Sequence, residues 1–146
     1  MPNWVLNRIT TKKKHLVKLK EISRVGIANF YRPMPKELKN TRAPQKITGT
    51  NTKEDIDKIV KKFGFPDWYA WAIKNWGTKW GCCDNEFEKN EYWYKTAWSP
   101  LSLELITLLS KDIPDFNYVW EEEQGFGQEW VCENGCLKML KEWGVD

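Results

Sequence analysis

The sequence predicts an α+β fold, and three observations carry that reading. Residues at 4–11, 92–98 and 116–123 alternate apolar and polar side chains with a period of two, which is the mark of half-buried strands. Apolar residues at 16–22, 56–63 and 101–109 instead recur at helical spacing. The resulting order is strand, helices, strand, strand, helix, strand, with one added strand. It fits an antiparallel ferredoxin-like sheet with helices packed on one face and a helical insertion after the first strand.

The first strand, Trp4 to Thr11, sets Val5, Asn7 and Ile9 against Trp4, Leu6 and Arg8, and its early start predicts a central place in the sheet. Leu16, Leu19 and Ile22 then form one helix face, with Gly26 as the stop. Residues 28–35 read as extended, because Pro33 and Pro35 push the residues before them out of helical geometry. Lys36 to Lys39 fits one helical turn. Thr41 to Asn51 is a polar loop and the expected mobile part. Thr52 caps the next helix with Asp55 as capping-box partner; Ile56, Ile59, Val60 and Phe63 are its expected buried stripe, and Gly64 closes it. Pro66 and Asp67 open a further helix in which Trp68, Trp71 and Ala72 share a face and which Asn75 and Gly77 break.

Lys79 to Phe87 and Tyr92 to Trp98 read as consecutive strands around Glu88–Glu91. Ser99 and Pro100 open a helix with the stripe Leu101, Leu105, Leu108 and Leu109, which Ile113 and Pro114 end. Phe116 to Glu123 and Glu129 to Glu133 form a hairpin about Gly125 and Gly127. Leu137 to Trp143 reads as a short terminal helix or a loose tail.

Length fits a single domain over residues 1–146. The chain has 41% hydrophobic and 29% charged residues, as a soluble globular protein does. It has no apolar run of the ~20 residues that a membrane-spanning helix needs. With no signal-peptide pattern at its start, the expected location is the cytoplasm. Net charge is only +3, yet the cations gather early, at Lys12, Lys13, Lys14, Lys18 and Lys20, and the acids late, at Glu121, Glu122 and Glu123. The lysines suit a nucleic-acid contact, or simply a solvated helix face. Cys132 and Cys136, joined by Cys82 and Cys83, would make a four-thiolate zinc shell only if a bend brought the adjacent pair to one side, so free thiols are the simpler reading.

Catalytic patterns are scarce. His15 is the only histidine and stands on a lysine-rich helix, where a surface role is expected. There is no nucleophile elbow and no phosphate-cradling glycine loop, so no cofactor is implied. Glu121 and Glu123 share one strand face, Glu122 takes the other and Glu129 lies across the hairpin; converging acids would suit Mg²⁺-dependent phosphodiester cleavage, and a charged sheet edge is the plainer alternative. Tyr92, Tyr94 and Trp98 would serve as a base-stacking face, but rings of this kind favour the core. Trp76 and Trp98 are therefore expected to be core residues.

Five of the ten tryptophans, Trp68, Trp71, Trp76, Trp80 and Trp98, fall within 67–80 and 96–100. In chain order, Met1-Pro2-Asn3-Trp4, Met34-Pro35-Lys36-Glu37-Leu38, Trp68-Tyr69-Ala70-Trp71, Asn75-Trp76-Gly77-Thr78-Lys79-Trp80 and Thr96-Ala97-Trp98-Ser99-Pro100 resemble the YubB-like proteins of phages and plasmids. Their usual acid after the lysine-tryptophan pair is replaced here by Gly81-Cys82-Cys83-Asp84. The resemblance implies a ferredoxin-like domain and a mobile-element origin, and it supplies no catalytic residues. Together these features point to a non-enzymatic protein that engages a host protein, such as a CRISPR or restriction component. The Glu121–Glu123 region or the Lys-rich helix would supply the electrostatic steering.

Overall fold

The computed structural model describes residues 2–144; Met1 of the first motif lies outside them. Its strands are β1 (Trp4–Thr11), β2 (Cys83–Glu88), β3 (Glu91–Ala97), β4 (Phe116–Glu122), β5 (Gly127–Glu133) and β6 (Cys136–Trp143). Its helices are α1 (Leu16–Val25), α2 (Ile27–Tyr31), α3 (Lys36–Lys39), α4 (Lys53–Phe63), α5 (Trp68–Trp76) and α6 (Leu103–Asp112). The strands form one six-stranded sheet in the order β2-β3-β1-β4-β5-β6, with every neighbouring pair antiparallel. The fold is α+β, as expected, and β1 is central.

Register explains which face is covered. Ile9 lies opposite Tyr92 and Tyr118, and Asn7 opposite Tyr94 and Trp120. These side chains share one face, and Ile9, Tyr92, Tyr94 and Tyr118 pack into a single core with Leu19 and Ile22 of α1, Trp71 and Trp76 of α5, and Leu105 and Leu109 of α6. Asn7 is fully buried there because its polar atoms are spoken for. Its amide donates to Thr96 Oγ1 at 3.2 Å, and Tyr118 Oη donates to its oxygen at 2.9 Å. On the opposite face Leu6 stays exposed and the Arg8 guanidinium lies 5.3 Å from the Trp93 ring centre.

Several elements differ from expectation. Residues 27–31 are helical, because Gly26 at φ +91° lets the chain start a new turn that buries Ile27 and Ala28. The proline restriction acts only on the residue directly before each ring, so it spares this turn. Gly81 at φ +69° interrupts the stretch after Lys79, and β2 begins only at Cys83. The terminal segment is strand β6, set by the hairpin residues Asn134 and Gly135, both at positive φ. The capping box of Thr52 and Asp55 forms as expected. Yet α4 is peripheral: Ile59 and Phe63 pack against the core while Val60 stays exposed.

Candidate binding surface

The Trp-rich segments are stitched to each other by short polar side chains. Helix α5 ends at Gly77 in left-handed geometry. Thr78 Oγ1 donates to Ala97 O at 2.8 Å, Ser99 Oγ to Gly77 O at 2.6 Å, and Ser102 N–H to Trp76 O at 2.9 Å. Trp76 is buried as expected, its indole N–H donating to Arg32 O at 2.9 Å and its ring edge-on to Trp71 at 5.1 Å. This stitching sends Trp76 inward and leaves Lys79, Trp80 and Trp98 at the rim.

Trp98 is not a core residue. It is 50% exposed and holds φ +67°, a conformation that costs a bulky L-residue on the order of 1–2 kcal/mol. The neighbours impose it, since its N–H donates to Asn3 O and the N–H of Ser99 turns back onto Ala97 O, both at 2.8 Å. Between Trp98 and Trp80 sits the Lys79 ammonium, 4.0 Å from each ring centre. Trp4 packs on Trp80 with centroids 5.9 Å apart. Among the described residues no carboxylate lies within 4.0 Å of Lys79, so its charge rests on ring faces alone. Segments 3–4, 76–80 and 96–99 thus converge at one corner of the sheet.

A hollow of about 540 Å³ adjoins this corner, walled by Pro44, Trp68, Tyr69, Ala70, Lys79 and Trp80. A second, of about 310 Å³, shares Trp68, Lys79 and Trp80 with it and adds Asn29, Met34 and Lys39. The loop expected to be mobile helps to build the wall. Thr41 Oγ1 accepts from Trp68 N–H at 2.9 Å, and the Gln45 amide donates to Pro66 O at 2.8 Å.

The other predicted site residues lie apart. Glu122 is buried, because the pleat turns it to the covered face beside Val5; one oxygen accepts from Gln124 N–H at 3.1 Å and the other has no partner among the described residues. The three acids therefore do not form one exposed charge. Glu121 accepts from the Trp143 indole at 2.8 Å, and exposed Glu123 donates its N–H to Trp4 O at 3.1 Å, beside the aromatic corner. Glu129 accepts from Asn117, and among the described residues no three His, Cys, Asp or Glu side chains gather as a metal site would require.

The lysines occupy the far end of β1, about 25 Å from Trp4 at the rise of an extended strand. Lys12 pairs with Asp115 at 3.7 Å and Lys18 with Glu21 at 3.8 Å, whereas Lys13, Lys14 and Lys20 are exposed. His15 is half-buried against Asp115, 3.9 Å away, rather than free at the surface.

Tyr92 and Tyr94 are fully buried on the covered face, so they form no stacking platform with Trp98. A four-thiolate shell does not assemble either. Cys82 and Cys83 stand at the β2 edge, and three strands separate β2 from β5, which carries Cys132. All four cysteines are free, and burial pushes the Cys82 thiol up to about 11.

The class defined by this architecture is an α+β protein with a helix-covered, six-stranded antiparallel sheet. No family model matches the chain, and no curated protein matches it. Among solved structures it is similar to the crystal structure of api92 from Yersinia pseudotuberculosis, of family DUF1281. The TM-score is 0.58 over 100% of this chain and 99% of that one, at 10% identity. At that identity the likeness concerns the fold alone. No helix among the described residues is long and apolar enough to cross a membrane.

Proposed function

We propose that this chain is a non-enzymatic binding protein of a phage or other mobile element, and that it engages a host protein through the corner formed by Trp4, Lys79, Trp80 and Trp98. The single observation that carries the reading is the Lys79 ammonium held 4.0 Å from two indoles, one of them half exposed on a strained backbone. Strain of this kind persists where the surroundings over-determine it, and it gathers at ligand clamps and active sites. Tryptophan is also among the residues enriched at the hot spots of protein interfaces. The sequence resemblance supports the mobile-element origin and, with it, action in the cytoplasm of a host bacterium. Interference with a CRISPR or restriction component is the concrete form.

The ferredoxin-like reading of the fold belongs to the same proposal. What supports it is the chain order of β1 to β4, with α1 and α6 among the helices between them, and their side-by-side order β2-β3-β1-β4. Strands β5 and β6 extend that sheet past β4.

The test is affinity capture from bacterial lysate by wild-type and Trp98→Ala protein. The expected result is a host protein retained by the first and lost by the second. Identical retained proteins would overturn the reading. A nucleic-acid contact through Lys13, Lys14 and Lys20 is the second reading, favoured by their exposure with no ion pair within 4.0 Å among the described residues. It predicts a mobility shift that vanishes steeply with salt.

A further inference from the structure

The groove beside Lys79 specifies more about its occupant than the exposed corner does. The larger hollow is walled by ring faces and small aliphatic side chains, with Tyr69 and Trp80 about two-fifths exposed. Its one acid, Asp67, is buried and already accepts from Ala70 N–H at 2.9 Å as the cap of α5. That leaves Lys79 as the hollow's charge available to an occupant, with Lys39 the only further cation in the adjoining hollow. A nucleic acid brings one negative charge per nucleotide and needs a row of cations. A peptide brings single charges among apolar residues, which is the ratio found here. Asn29 strengthens the case, because its amide oxygen is buried at the wall of the smaller hollow with no donor among the described residues. A small turn of that side chain would offer it to a backbone N–H, which a peptide supplies.

We propose that this groove takes an extended, proline-containing acidic segment of the partner protein. The segment's carboxylate meets the Lys79 ammonium, and its apolar residues lie on Trp68, Tyr69 and Trp80. Aromatic grooves favour the polyproline conformation because it is extended before binding and loses little entropy. Lys79 is also restrained in advance, packed between Trp80 and Trp98. The proposal rests on the protein-binding reading above and adds the chemistry of the partner.

The experiment titrates isotope-labelled protein with the capped peptide Pro-Pro-Glu-Pro-Pro, its Gln counterpart, and oligodeoxythymidylate, following the indole N–H signals. The Glu peptide should move the signals of Trp68 and Trp80 and leave that of Trp130 on β5 in place. The Gln peptide should bind about tenfold more weakly, as expected for losing a charge-assisted hydrogen bond. Lys79→Met should abolish the difference between the two peptides. Filling the hollow with Ala70→Leu should weaken both. Peptides that move neither Trp68 nor Trp80 would overturn the proposal, and so would oligodeoxythymidylate binding there with a steep salt dependence. If the peptides fail while a captured protein is still lost from Trp98→Ala, the groove assignment falls and the binding reading stands. A captured protein retained by Trp98→Ala would remove the binding reading and the peptide segment with it.

Discussion

Trp76 and Trp98 come from two motifs bonded to each other, yet they end in opposite surroundings. Trp76 is buried, hydrogen-bonded through its indole and packed edge-on to Trp71. Trp98 is half exposed, on a backbone that its own side chain does not favour. The bonds from Thr78 and Ser99 to the facing backbone lock both arrangements at once. One stitched unit therefore has a structural side, which closes the core, and an outer side, which presents rings and a lysine to solvent. A tryptophan count cannot separate the two sides, because what separates them is backbone geometry: Trp76 is the last residue of α5, whereas Trp98 follows β3 at φ +67°.

Substitutions on the structural side should have the largest effect on stability. Trp76→Ala is expected to cost about 3–5 kcal/mol in urea unfolding, as removal of a buried large aromatic does. A cost below about 1 kcal/mol would erase the distinction from an exposed site. The junction comes next. A Cβ at Gly77 would stand 2.9 Å from Ser102 N, on a backbone at φ +79°. Gly77→Ala should therefore cost about 1–3 kcal/mol, the range for strain at such a position. An unchanged unfolding midpoint would show that the two motifs are not tightly joined there.

The smallest effect sharpens the comparison from the lysine end. There Lys12 and His15 face Asp115, while Lys79 has ring faces only. The Asn134 N–H, followed by Lys12, Lys14 and His15, holds the Asp115 carboxyl below its ordinary range. A depressed carboxyl stabilises the fold above its unfolded pKa of about 3.9, and this contribution is lost as pH falls through the lower folded value. Asp115→Asn should thus lower stability at neutral pH. Its deficit against wild type should shrink as pH drops below about 4. A deficit independent of pH would mean that the carboxylate's charge contributes nothing.

What the sequence made legible follows periodicity and capping. Alternation in β1 put Val5, Asn7 and Ile9 on one face, which the structure shows to be the buried one, and Thr52 with Asp55 marked the start of α4. The alternation at Glu121–Glu123 also put Glu122 on its own face, but nothing local showed that this face is buried at that end of the sheet. In β6, Leu137, Met139 and Leu140 suit a helix or a strand equally well. The deciding signal was the hairpin dipeptide Asn134-Gly135 just before them. The aromatic corner was hidden for another reason. The left-handed backbone of Trp98 is held by the turn at Ser99 and by Asn3, and the Asn3 contact exists only once β1 and β3 have paired.

The central claim is that Trp98 serves recognition and not the core. It is tested most directly by measuring the affinity of the captured host protein for wild-type and Trp98→Ala chains at equal concentrations of folded protein. Trp98→Ala should lose affinity at least tenfold, about 1.4 kcal/mol, with an unfolding free energy in urea within about 1 kcal/mol of wild type. Equal affinities, or a stability loss of about 3–5 kcal/mol like that expected for Trp76→Ala, would contradict it.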